Sequence, residues 1–113
     1  NRALSIMKIS VFGNTDLDKD NAALKLIPQL KKQYPQAEIV IEDPAEGLKP
    51  ADDWLIVDAC EGISKITKLI DLDKFESVRR VSVHDYDLSM ELKLLRKLGK
   101  IKKLKIICVP VAN

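Results

Sequence analysis

Two residue types that do chemistry stand at unusual places in this chain. Asp58 lies in the run LIVDACEG, preceded by four apolar residues and followed by alanine. His84, the only histidine, lies in VSVHDYD, directly after another apolar run. A carboxylate in such surroundings is costly to desolvate unless it is paired, hydrogen-bonded or metal-bound. Asp16, Asp18 and Asp20 form a further, acidic group, behind Gly13 and Asn14. Two carboxylates and one imidazole, Asp20, Asp58 and His84, would make a borderline metal site with room for an exogenous ligand. Each residue also has a plainer reading. Asp58 can cap a helix beginning near Gly62 or hold a loop, His84 can hydrogen-bond a backbone carbonyl, and Asp20 can be a helix N-cap while also binding metal.

Convergence of these residues depends on the elements that carry them. Five apolar, β-prone runs recur: Met7 to Phe12, Ala37 to Ile41, Trp54 to Val57, Val78 to Val83 and Leu104 to Val109. Between the first two, Ala23, Ile27 and Leu30 share a helical face within Asp20 to Gln33, where Pro28 is expected to bend the helix. Leu88, Leu92, Leu95 and Leu98 mark a second amphipathic helix, with Gly99 as its stop. Ile63 to Asp71 reads as a shorter helix. Strands alternating with helices predict an α/β domain with a largely parallel sheet and helices on both faces. Ligands of such sheets bind beyond the carboxyl ends of the strands, near a switch in strand order. If the first, third and fourth strands are neighbours, Asp20, Asp58 and His84 meet there.

Composition narrows the alternatives. The 113 residues make one domain. Residues 1–6 precede the first strand and read as an upstream extension; 7–113 read as a single α/β domain. With 46% hydrophobic residues and a net charge of +2, disorder and a whole-protein nucleic-acid footprint are not supported. No apolar run approaches the roughly 20 residues of a membrane span. Cys60 and Cys108 form neither a disulfide framework nor a four-cysteine zinc site, and a reducing cytoplasm is the default expectation. There is no GxGxxG and no GxxxxGK[ST]. A phospho-acceptor receiver would need an acidic pair, Ser or Thr, and Lys where Asn14, His84 and Pro110 stand. A Cys60–His84 nucleophilic dyad has no flanking support. Charge is uneven: Glu38 to Glu61 holds eight acids and one lysine, and Glu91 to Lys105 seven bases and one acid. The two stretches are either solvated faces or, for the basic one, a docking surface for an acidic peptide.

Taken together, MKISVFGN, DNAALKLIPQL, LIVDACEG and VSVHDYDLSMELKLL resemble the hydrogenase maturation endopeptidases, in a short archaeal-type branch of the HybD-like family. The likeness runs from about Met7 to Val111 and rests on the order and spacing of the motifs. It implies a three-layer α/β/α fold, phosphorylase/hydrolase-like, with a five-stranded, largely parallel sheet. It also implies an activity: cleavage of a C-terminal extension from the nickel-loaded large-subunit precursor of a nickel–iron hydrogenase. By resemblance, Asp20, Asp58 and His84 hold the precursor's nickel, zinc or cadmium can substitute for it, and Asp58 doubles as the catalytic base. The family's acidic pair followed by glycine reads Lys19-Asp20-Asn21 here, and Asp16 stands where its GNxL run has leucine. The alternative is a non-catalytic metal-sensing or assembly-factor protein on the same fold. The expected partner is the hydrogenase precursor, with no nucleic acid and no membrane.

Overall fold

The computed structural model describes residues 7–12, 22–42, 48–76, 79–80 and 88–111. In chain order these form β1 (Lys8–Phe12), a 3-10 turn (Leu24–Leu26) running into α1 (Ile27–Gln33), β2 (Glu38–Glu42), β3 (Asp53–Glu61), β4 (Thr67–Leu69), α2 (Leu72–Glu76), β5 (Arg79–Arg80), α3 (Leu88–Lys97) and β6 (Lys103–Pro110). The strands build one sheet in the order β2-β1-β3-β6-β4, and β5 pairs with β3. The β1–β2, β1–β3 and β3–β6 ladders are parallel; the β4–β6 and β3–β5 ladders are antiparallel. The expected α/β class and largely parallel sheet are therefore present.

Two apolar layers sandwich the sheet. On one face Trp54, Ile56, Leu104 and Ile106 pack with Leu72 and Phe75 of α2 and Leu92 of α3. On the other, Ile9, Val11, Leu55 and Val57 pack with Ala23 and Leu30 around α1. Alternation along β3 sends successive side chains into opposite clusters, and all of Trp54 to Cys60 is buried. Burial of a side chain such as Phe75 or Leu92 contributes about 1.5–3 kcal/mol, so each helix is held by a few such contacts.

Pro28 does not bend a helix interior. The chain takes a 3-10 turn first, and α1 begins at Ile27 with Pro28 in its opening positions, where the missing N–H is no loss. Tyr34 ends α1 ahead of Pro35, as the residue before a proline tends to. The Asp20 or Asn21 cap lies outside the described residues. At the other amphipathic helix, Gly99 takes φ +77°. Lys100 N–H donates to Leu95 O at 2.9 Å and Gly99 N–H to Arg96 O at 3.0 Å, the paired bonds of a Schellman stop.

Two expectations are corrected. The third strand does not stop at Val57 but continues to Glu61. Ile63 to Asp71 is not a helix: Thr67–Leu69 forms β4, pairing with β6 from Cys108 to Ile106 and satisfying its open edge. Of the expected fourth strand, Val78 to Val83, the described residues Arg79–Arg80 are a strand, antiparallel to β3; positions 78 and 81–83 lie outside the described residues.

Candidate active site at the β1–β3 switch point

From β1 the chain steps outward to β2, then returns to the opposite side of β1 as β3. The crevice between the carboxyl ends of β1 and β3 is thus the switch point where open α/β sheets bind ligands. Val11 pairs with Val57, and β1 ends one residue later at Phe12. Asp58 is the next residue of β3, so it stands level with the end of β1 while β3 runs three residues further, to Glu61. Beyond β1 the same edge of β3 is taken by β5, with Arg80 opposite Cys60 and Arg79 opposite Glu61.

Asp58 therefore sits inside a central strand rather than after it, and its side chain is fully buried. The helix-cap reading fails on this point. The residues after Asp58 continue as strand, Gly62 turns the chain at φ +83°, and the next helix starts at Leu72. Asp58 Oδ1 instead accepts the N–H of Ala59 at 2.9 Å. Strand alternation puts Asp58 on the face of Trp54, Ile56 and Cys60, the side of α2 and α3.

The parallel register sets Cys108 of β6 directly beside Asp58. Register partners on adjacent strands share a face at a spacing of about 4.8 Å, and Cys108 is fully buried. Cys60 lies two residues along β3 on the same face, its thiol directed at the Asp58 carbonyl oxygen at 3.9 Å. The buried carboxylate is thus bordered by two cysteines that are not in disulfides. The apolar run LKIICV identified β6, but nothing in it disclosed the neighbour of Cys108, because register depends on strand order.

On the same face, across β1 and β2, lies a polar chain that the sequence did not announce. Trp54 Nε1–H donates to Ser10 Oγ at 2.8 Å, and Ser10 Oγ donates to Glu42 Oε2 at 3.0 Å. Lys8 Nζ lies 3.3 Å from Glu42 Oε2, donates to Lys49 O at 2.7 Å, and stands 5.9 Å from the Trp54 ring centroid. These bonds join β2, β1 and β3 and tie down Lys49 in the β2–β3 connection. This chain is structural support for the strand that carries Asp58.

Of the three expected ligands, Asp58 is placed by the structure; Asp20 and His84 lie outside the described residues. The chain twice leaves the described part close to Asp58: Phe12, the last described residue before Asp20, is level with it, and Arg80, the last before His84, faces Cys60. Among the described residues no three His, Cys, Asp or Glu side chains gather to hold a metal ion, and no helix is long and apolar enough to cross a membrane.

Comparison with known proteins agrees with this architecture. The fold is similar to that of the hydrogenase maturating endopeptidase HybD from E. coli, with a TM-score of 0.63 and 19% identity over 93% of this chain and 74% of that one. A protein of uncharacterized function from Wolinella succinogenes is also similar, with a TM-score of 0.55 and 20% identity over 96% of this chain and 75% of that one. At these identities the likeness is one of fold. No family model matches the sequence, and no curated protein matches it.

Proposed function

We propose that this protein is a processing endopeptidase that removes the C-terminal extension of a nickel-loaded hydrogenase large-subunit precursor. The observation that carries the reading is Asp58: a fully buried carboxylate in the central strand, level with the β1 end at the sheet's switch point. The fold likeness to HybD, named a hydrogenase maturating endopeptidase, supports it, as do the motifs of the sequence. Buried cysteines outside any disulfide suit a reducing compartment such as the cytoplasm.

In this reading nickel belongs to the substrate, and Asp20, Asp58 and His84 recognise it. Asp58 contributes a carboxylate oxygen whose direction the Ala59 N–H holds. Placement on a strand fixes such a group more closely than a loop would. The same carboxylate is the group assigned to take a proton from the attacking water.

The test is incubation with nickel-loaded precursor, followed by mass measurement of the large subunit. Loss of the C-terminal peptide with wild type, but not with His84→Ala, is the expected result. A precursor that binds and stays intact would replace this reading with that of a non-catalytic assembly factor. Calorimetric titration of zinc or cadmium, as stand-ins, should give weak binding that His84→Ala weakens further; identical titrations would remove His84 from the ligand set.

A further inference from the structure

The outer surface of α3 is not that of an ordinary solvated helix. Leu92 and Leu95 turn toward the sheet and anchor it. Met90, Leu94 and Leu98, spaced four residues apart, form a second apolar line, and they are 65%, 54% and 62% exposed. A helix of this length spans about 15 Å, so the line is a continuous ridge rather than scattered single residues.

Charge surrounds the ridge asymmetrically. Arg96, Lys97 and Lys100 are exposed at the end of α3 and the turn that follows. Among the described residues no carboxylate pairs with any of the three. Beside the ridge, between the start of α2 and α3, runs a cavity of about 290 Å³ lined by Asp71, Leu72, Asp73, Lys93, Arg96 and Lys97. Its acids are already engaged: Asp73 with Lys93 at 2.8 Å, and Asp71 Oδ1 with the Asp73 N–H at 2.8 Å. What the groove offers a visitor is the two cations Arg96 and Lys97.

From this juxtaposition we infer that α3 is a docking surface for an acidic, leucine-bearing helical segment of a partner protein. An apolar ridge with a groove alongside accepts the apolar stripe of an amphipathic helix, and acidic flanks on that helix meet Arg96, Lys97 and Lys100. A lipid surface fits less well, since three side chains on a helix already anchored by its other face bury little in a bilayer. Nucleic acid fits less well too, because the ridge carries no aromatic ring for base stacking. The inference does not rest on the processing activity. The C-terminal half of α3 leads to β6 at the amino end of the sheet, away from Asp58.

The probe is a synthetic helical peptide of about 15 residues, about four turns, with leucines at three- and four-residue spacing and glutamates elsewhere. Controls replace all glutamates by lysine, or all leucines by serine. Titration into the full chain, followed by backbone amide NMR, should move resonances along α3 and the Lys100 turn. Binding should weaken in high salt. Leu94→Ser/Leu98→Ser, through lost apolar burial, and Arg96→Glu/Lys97→Glu, through reversed charge, should each weaken it by about tenfold or more. Both pairs are exposed, so the fold should survive, and Ile70→Ser, at an exposed site on the β4 side, should bind as wild type does. The inference is overturned by no binding up to about 1 mM, by equal binding of the lysine peptide, or by unchanged affinity in both double variants. Tighter binding through the same residues to phosphatidylserine vesicles or single-stranded RNA would overturn it as well.

Discussion

Removal of one oxygen atom, by Ser10→Ala, tests the support beneath the strand that carries Asp58. Ser10 Oγ accepts the indole N–H of Trp54 at 2.8 Å and donates to Glu42 at 3.0 Å. Trp54 is 1% exposed, so water cannot replace the lost acceptor, and a stranded buried donor costs about 1–3 kcal/mol. Glu42 keeps Lys8 at 3.3 Å, so its loss is the smaller part. The sum is a destabilisation of about 2–3 kcal/mol, a large share of the roughly 5–15 kcal/mol that holds a domain of this size. For a chain of this length that corresponds to a melting point lower by about 8–12 °C. Urea unfolding followed by far-ultraviolet circular dichroism measures it, with Trp54→Phe and the double variant completing a cycle. Trp54→Phe removes the donor, so Ser10→Ala should cost less in that background, with a coupling of about 1–2 kcal/mol. A Ser10→Ala loss below about 0.5 kcal/mol, or strict additivity in the cycle, would refute the reasoning.

Other expectations follow from the same geometry. Asp58→Asn keeps an oxygen for the Ala59 N–H, so stability should change by no more than about 1–2 kcal/mol while processing is abolished; melting and cleavage on one preparation check this, and folded, fully active protein would end the catalytic role of Asp58. Gly99→Ala meets no atom within 4 Å but must adopt φ +77°, so about 1 kcal/mol should be lost through backbone strain alone, and Gly99→Asn should lose less. Hydrogen bonding and charge attraction from Lys93 hold the Asp73 carboxyl below its ordinary 3.8. The small stabilisation this brings is present above that ordinary value and disappears as pH falls through the lower folded value. A carboxyl NMR titration should show the lowered midpoint, and Lys93→Gln should return it towards 3.8.

Where local chemistry was strong, the sequence was sufficient. MKISVF and LKIICV are apolar and β-branched enough to be buried strands, and they are β1 and most of β6. The leucine spacing of α3 and the left-handed conformation available to Gly99 specify that helix and its stop within a few residues of chain. Both follow from interactions between near neighbours, which a linear reading contains. Ile63, Ile66 and Ile70 have spacing that suits a helix equally well, yet this stretch supplies β4, because the open edge of β6 offered Thr67–Leu69 hydrogen bonds and a place for Leu69 in the core. A short apolar segment is ambiguous on its own, and a distant partner decides it. The same holds at the candidate site. That Asp58 is a candidate was legible from a carboxylate among apolar residues. That it lies within a strand, level with the end of β1 and beside Cys108, was decided by strand order and register alone. Those are agreements between segments some 50 residues apart in the chain, set by which pairing buries both faces of β3 at once.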